Sequence, residues 1–412
     1  MEDDTEIKRI DFSGFEFPNP ISFENRLFEK KVIFSNAIFK KSASFSNAEF
    51  TNDVFFDEVE FKDAFFNDTK FNNYTSFYST IFDPAYFQGA KFKNVDFSYA
   101  IFKVAYFRSS QFNDEASFEK AEFYSNADFV KTTFNNDVDF ILTSFDNKVD
   151  FSNTKFNNAY FIDTKFNNEA NFSNSEFKKD AIFRNPQFSS PNDLINFRYA
   201  KFYDQKHIRF QKINLSRVTF LNTDITEVEF LDEIWPKKGG RVMVVDEMHI
   251  GRDQSTTYSA IAQLYRRLRK NYENNYRFAE AGSFFIGEME MFRLDVDTRF
   301  KNETIRKMVL WFKRNLSILG FYRNMSLYGE DYSRPAIIAI LVIFFYPIAV
   351  NLLFHLIFNS PLINYQDYFS LFRSSFSSFF QMDTSYLGER LIGILIIGLF
   401  FIALKRKFER KR

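Results

Sequence analysis

Between Phe23 and Phe188 a phenylalanine returns every five or six residues, 32 times without a missed beat. A helix face repeats every ~3.6 residues and a flat strand face every ~2. A beat of five fits neither. A short fixed period over such a length points to a solenoid, in which one small unit stacks on copies of itself. Two residues before most of these phenylalanines stands a small or β-branched residue, such as Ala37, Ala48, Val59, Thr69, Ala85, Ala90, Val95 and Ala100. The residues between are mostly Asn, Asp, Ser, Lys and Glu. Each unit therefore turns one large and one small side chain inward. A narrow coil needs this pairing if its interior is to fill to crystal-like density. Of the 31 intervals, 21 are five residues and ten are six, and counted from Phe23 all ten are even-numbered. That placement implies an even-sided coil. With four sides, the extra residues bulge at two opposite corners and the other two stay tight. Phe77, Phe82, Phe87, Phe92, Phe97, Phe102, Phe107 and Phe112 have no extra residue among them and should be the most regular part of the core.

The paired pattern resembles the pentapeptide-repeat family, whose central residue is Leu or Phe and whose i−2 residue is Ala or similar. The resemblance covers about half of the chain. It implies a right-handed, four-sided β-helix with one repeat per side. Thirty-two repeats then make about eight turns. Phe197, Phe202, Phe210, Leu215, Phe220, Ile225 and Phe230 continue the pattern with irregular gaps for about two turns more. At ~4.8 Å per stacked strand the rod is roughly 40–50 Å long. Asn pairs such as Asn72-Asn73 and Asn157-Asn158 are expected at corners, where Asn tolerates turn geometry. The fold class is a mainly β N-terminal solenoid, then an α-helical linker and two transmembrane helices. The expected divisions are an N-terminal cap (1–22), the solenoid (23–234), a mostly helical connector (235–330) and a membrane domain (331–412).

The chain has no cysteine, which excludes disulfides and thiolate metal sites. Residues 1–235 carry 27 Lys and Arg against 37 Asp and Glu, and residues 236–412 carry 26 against 16. The polar Met1–Ile10 stretch has no signal-peptide core. Residues 336–358 contain no Asp, Glu, Lys or Arg, and Pro347 is expected to kink them. Asn351 and His355 are the intramembrane polar residues. A second span is expected over about 385–404, with Glu389 and Arg390 at the interface or paired inside the protein. Lys313, Arg314, Arg323 and Arg334 precede the first span and Lys405 to Arg412 follow the second, whereas loop 359–384 is poor in basic residues. Both termini are therefore expected on the cytoplasmic side of the inner membrane, in a multi-pass arrangement. The basic tail would lie against anionic lipid.

Between the spans, Phe369, Phe372, Phe376, Phe379 and Phe380 recur at helical spacing with serines between. Two readings compete: a helix at the outer membrane surface, or a re-entrant pore helix followed by a constriction at Phe380, Gln381, Met382 and Asp383. The order span, short aromatic helix, acidic residue, span resembles the two-helix pore module of potassium-type channels. Their Thr-Val-Gly-Tyr-Gly-Asp filter is absent; only Asp383 matches its last position, so potassium selectivity is not implied. The whole chain is similar to a group of prokaryotic membrane proteins in which pentapeptide repeats precede a channel-like helix pair. That likeness is carried by Tyr265 to Leu294, Tyr328-Gly329-Glu330 and Leu399 to Lys407.

In the connector, Val242–Ile250 is expected as a strand. Ser255 or Thr256 should cap a helix with Ile261, Leu264, Tyr265 and Leu268 on its apolar face. A second helix runs from about Arg277 to Leu294, and a third from Lys301 to Tyr322. The first two resemble one unit of a tetratricopeptide-type repeat, and such a pair must pack on the solenoid end or on a second copy. Glu288 and Glu290, two residues apart on a helix, read as a solvated face. His207, His249 and His355 are far apart in the chain. No catalytic, metal or cofactor site is expected, and the chain does not read as an enzyme. The functional readings are a cation-channel subunit, a membrane-anchored scaffold without a pore, and a DNA mimic that binds topoisomerase. Their partners are the bilayer, further copies of the chain (four for a pore) and a protein on the solenoid. The basic residues that interrupt the acidic surface speak against nucleic-acid-like behaviour.

Overall fold

The computed structural model describes residues 9–239, 241–251, 256–297, 302–358, 367–382 and 386–409. The chain divides into two compact units, residues 1–271 and 272–412.

In the first unit, short strands from Arg9 to Leu231 pair in parallel, each with the strand one turn further along. About ten turns stack in this way. The walls can be counted from the rings, because every fourth phenylalanine of the beat lies on the one before. Phe34, Phe56, Phe77 and Phe97 form one column; Phe39, Phe61, Phe82 and Phe102 a second; Phe45, Phe66, Phe87 and Phe107 a third; Phe50, Phe71, Phe92 and Phe112 a fourth. Four columns mean four walls. In the regular stretch the stacked rings are 4.9 Å apart and nearly parallel, which is the spacing of neighbouring strands, about 4.8 Å. Across the bore the first and third columns meet edge to face, with Phe87 at 5.5 Å from both Phe77 and Phe97. This is the geometry that aromatic quadrupoles favour. The eight rings from Phe77 to Phe112 are all buried.

The corners alternate as the interval pattern demands. After the first and third columns the chain turns tightly. The residue two beyond the ring takes a left-handed conformation, as at Asn36, Asn47, Glu58 and Gly89. The next N–H returns to the ring residue's own carbonyl, as Ala37 does to Phe34 at 2.9 Å and Ala90 to Phe87 at 3.0 Å. After the second and fourth columns the corner is wide, and the extra residues enter there as shifts of register at Phe39/Ser42, Phe71/Tyr74 and Phe134/Asp137. Asn72-Asn73 and Asn157-Asn158 lie inside extended strands at these wide corners. The expectation of turn geometry there is corrected: wide corners need no left-handed residue, so these side chains instead form ladders such as Asn72 to Glu49 and Asn158 to Asp137.

A second set of interior contacts was not foreseen. At wide-corner walls the small inward residue is often Thr or Ser, and its hydroxyl donates to a carbonyl of the preceding turn. Thr69 reaches Phe45 O, Ser110 reaches Phe87 O and Thr154 reaches Phe129 O, each at 2.7 Å. These bonds supply the partner that a buried hydroxyl requires.

The coil begins before Phe23. Phe12 stacks on Phe34 and Phe17 on Phe39, so the segment expected as a separate cap holds the first turn; its beat is broken around Gly14. At the other end, Trp235 rests against Phe230. The strand expected over Val242–Ile250 is instead a two-residue hairpin, Lys237–Lys238 with Arg241–Val242, followed by a 3-10 turn at Val245–His249. Helix α1 (Tyr258–Asn274) follows. Thr257, not Thr256, accepts the capping bond from Ala260 N, and Ser255 lies outside the described residues. Ile261, Leu264, Tyr265 and Leu268 are buried as their spacing predicts. Asn271 and Arg267 donate to the carbonyls of Ile225, Val228 and Thr223, so α1 packs on the end of the solenoid.

The second unit contains α2 (Phe278–Leu294), α3 (Glu303–Asn315), α4 (Ile318–Ser326), α5 (Ser333–Phe358), α6 (Tyr368–Phe379) and α7 (Leu387–Glu409). The single helix expected from Lys301 to Tyr322 breaks at Leu316-Ser317, because Ser317 caps a new helix by accepting from Gly320 N.

The wall containing Thr75 provides a test of the interior. Thr75 is paired in register with Val54 and Val95 and fully buried, and its hydroxyl has no partner among the described residues. Thr75→Val is expected to stabilise the coil by roughly 1 kcal/mol, the cost of an unsatisfied buried hydroxyl. The same exchange at Thr154, whose hydroxyl is bonded, should destabilise it. Denaturant midpoints followed by far-UV circular dichroism check both directions.

Candidate functional site

α5 and α7 are long and apolar enough to cross a membrane. α6 packs against both. Its last residue, Phe379, is fully buried with Ile343 of α5 and Ile396 of α7, and Ile338, Val342, Phe372 and Ile397 surround them. Ile343 is the eleventh of 26 residues in α5, and Ile396 the tenth of 23 in α7. The short helix thus reaches the middle of both long ones rather than lying beyond their ends.

Three local features fix it there. Pro347 has no N–H, so the carbonyl of Ile343 loses its helical donor four residues on. The Ser375 hydroxyl donates to that carbonyl at 2.8 Å and also hydrogen-bonds the buried Glu389 carboxyl. Gly393 faces the end of α6 so closely that a Cβ there would come within 2.4 Å of Phe379 O. Beyond Phe379 the chain turns back through Gln381, which has a left-handed backbone. Gln381 and Arg390 bind each other twice, Arg390 Nε to Gln381 Oε1 at 2.6 Å and Gln381 Nε2 to Arg390 O at 2.8 Å. Glu389 and Arg390 are therefore both paired within the protein.

The aromatic stripe of α6 is divided. Phe379 is buried and Phe372 lies 4.7 Å from Phe344, but Phe369, Phe376 and Phe380 are exposed. The inner face is made by Ser375 and Ser378 with Phe379. Small side chains let helix backbones approach in lipid, and the serine spacing of three was the signal for this face. Met382 is exposed, and Asp383 lies outside the described residues. Asn351 and His355 are half-buried, one turn apart on α5.

Near the C-terminal end of α7 a polar network is built around Glu290. Arg293 reaches its carboxylate at 2.8 Å, Arg323 at 2.8 Å and the Tyr328 hydroxyl donates to it at 2.7 Å. Burial would raise this carboxyl, but the bonds from Arg293 and Tyr328 outweigh it and hold Glu290 below the usual carboxylate range. Burial and the bond to Glu290 push the Tyr328 hydroxyl up. Glu288 and Glu290 are both buried, which corrects the reading of a solvated face: Glu290 is paired by Arg293 one turn on in α2 and by Arg323 of α4. Arg406 of α7 donates to Tyr328 O at 2.8 Å and lies over the Phe285 ring. A cavity of about 690 Å³ opens beside it, and its charges are largely paired, as Arg277 is with Glu280 and Lys407 with the Tyr332 hydroxyl.

On the solenoid, Asp96, Glu115, Asp137, Asp139 and Tyr160 line a groove of about 300 Å³. Burial, and then Glu119, Asp137 and Glu115, raise Asp139 to about 6. Among the described residues no group of three or more His, Cys, Asp or Glu side chains is placed to hold a metal ion.

Residues 56–101, 100–141 and 140–186 match the family model described as pentapeptide repeats, nine copies. Residues 56–186 are therefore pentapeptide repeats. The matched residues all lie in the solenoid. No curated protein matches the chain. Among solved structures it is similar to QnrB1, described as a plasmid-mediated fluoroquinolone resistance protein, at 13% identity and a TM-score of 0.19, over 47% of this chain and 83% of that one. A similarity of that size carries no functional inference.

Two predictions follow from this geometry. In the fold Asp139 binds its proton more tightly than in the unfolded chain, so this group's contribution to stability falls as pH rises through about 6. Asp139→Asn should raise the thermal midpoint at pH 7.5, and its advantage should shrink steadily as pH is lowered to 4.5. In α7, Gly→Ala favours a helix by roughly 1 kcal/mol. Gly398→Ala, which meets nothing within 4 Å, should therefore be neutral or stabilising. Gly393→Ala should instead lower the melting point of the detergent-solubilised protein and speed hydrogen exchange in α6.

Proposed function

We propose that this pentapeptide-repeat protein is a non-enzymatic integral membrane protein, a subunit of an oligomeric cation pore with its solenoid on the cytoplasmic face of the inner membrane. The observation that carries this reading is the seat of α6 against the middles of α5 and α7. A surface helix would leave its polar serines to water; this one turns Ser375 and Ser378 into the protein, Ser375 against the carbonyl freed by Pro347. The arrangement supports the re-entrant reading of the segment. Phe380 to Met382 follow the helix directly, and several copies, four by analogy with two-helix modules, would bring the segment around one axis. A ring of Asp383 carboxylates would favour cations. The basic residues at the start of α5 and the end of α7 support the orientation.

A tethered scaffold is the second reading. Exposed Tyr78, Tyr99, Tyr124, Tyr199 and Tyr203 on the solenoid favour it, since tyrosine is enriched where proteins bind proteins. Planar-bilayer recording separates the two. A pore should give cation-selective current that Asp383→Asn reduces severalfold, with fourfold particles in detergent. Silence under all conditions, together with partner binding by a chain ending before Ala336, would establish the tether.

A further inference from the structure

α3 is amphipathic, but it faces the wrong way for a helix in water. Asn302 caps it by accepting from Thr304 N and Ile305 N, and none of its residues is buried. Ile305, Met308, Trp311, Phe312 and, just beyond the helix, Leu316 are all exposed. At 3.6 residues per turn they share one broad face. The opposite side is turned to the protein. Lys313 Nζ donates to Asp297 O at 2.8 Å, Arg314 Nη2 to Leu294 O at 3.1 Å, and Arg293 Nη1 to Arg314 O at 3.3 Å. The basic residues thus fasten α3 to the end of α2 while its apolar residues point outward. Ile318 and Phe321 of α4 are also exposed, and so are Ile337, Ile340 and Leu341 where α5 begins. The apolar skin is therefore continuous along the chain from α3 into the first candidate span.

We infer that α3 and the start of α4 form a docking surface for the anionic phospholipid leaflet that α5 enters, with Met308 and Phe312 inserted below the headgroups. This rests on the membrane reading of α5 and α7. Clustered exposed apolar residues of this kind mark an interaction surface, and the lipid that would surround α5 is the partner that continues it along the chain. Helix α3 carries four basic side chains, Arg306, Lys307, Lys313 and Arg314, against Glu303 alone. That balance suits an anionic surface. An interfacial helix of this kind sits about 5–10 Å into the headgroup boundary. Trp311 on the same face suits that depth.

The absence of cysteine allows a direct test in the full chain. Met308→Cys, Phe312→Cys, Lys307→Cys and Phe345→Cys are each labelled with a nitroxide and reconstituted into vesicles of phosphatidylglycerol and phosphatidylethanolamine. Power saturation then compares collision with oxygen, which enters lipid, and with a water-soluble nickel chelate. Labels at 308 and 312 should favour oxygen severalfold at a shallow depth, whereas 307 should favour nickel; 345, within α5, should be oxygen-rich and deep. If 345 behaves so but 308 and 312 favour nickel, the face lies in water and the inference fails alone. If 308 and 312 are shielded from both reagents, a second copy or another protein covers them, and the inference again fails alone. A nickel-accessible label at 345 overturns both this inference and the membrane reading.

Discussion

The rise between parallel strands, about 4.8 Å, is the dimension on which the first unit depends. A phenyl ring stacked at that interval touches the next one in its column without tilting the backbone. Phe77, Phe97 and Phe118 show the result, with successive separations of 4.9 and 5.0 Å. The narrow bore leaves no room for a second large side chain on each wall. Ala, Val and Thr therefore occupy the other inward position, and water-facing residues take the remainder. The hydrogen-bond ladder sets the repeat, the repeat sets the ring spacing, and the rings exclude water from the bore.

The second unit solves a different problem, the placement of polar backbone in an apolar setting. Pro347 frees a carbonyl in the middle of α5, and such a group is costly wherever water is absent. Ser375 brings a donor to it, and Gly393 makes room for the helix that carries that serine. The three residues come from three helices, so the proline in one is matched to the approach of another.

Much of the solenoid was legible in the sequence because each ring repeats the same local physics. The parity of the six-residue intervals anticipated two tight and two wide corners, and the left-handed residues at Asn36 and Asn47 confirm which are tight. The Thr and Ser hydroxyl bonds were hidden, since a residue's type does not say whether a carbonyl 24 residues earlier lies beneath it. Less of the candidate site was readable. The aromatic spacing of α6 gave a short helix and two competing settings for it, but not which face packs; contact with α5 and α7 selected Ser375, Ser378 and Phe379 and left Phe369 and Phe376 outside. Glu290 looked solvated because Arg323 and Tyr328, 33 and 38 residues further on, cannot be placed beside it from helix periodicity.

The placement of α1 has a consequence for solubility. A stack of parallel strands ends in a row of open amide groups, and such an edge is a template on which another chain can extend the same order. Asn271 and Arg267 occupy carbonyls of the final coil. The helix therefore covers the edge on which a further strand would otherwise add to the coil.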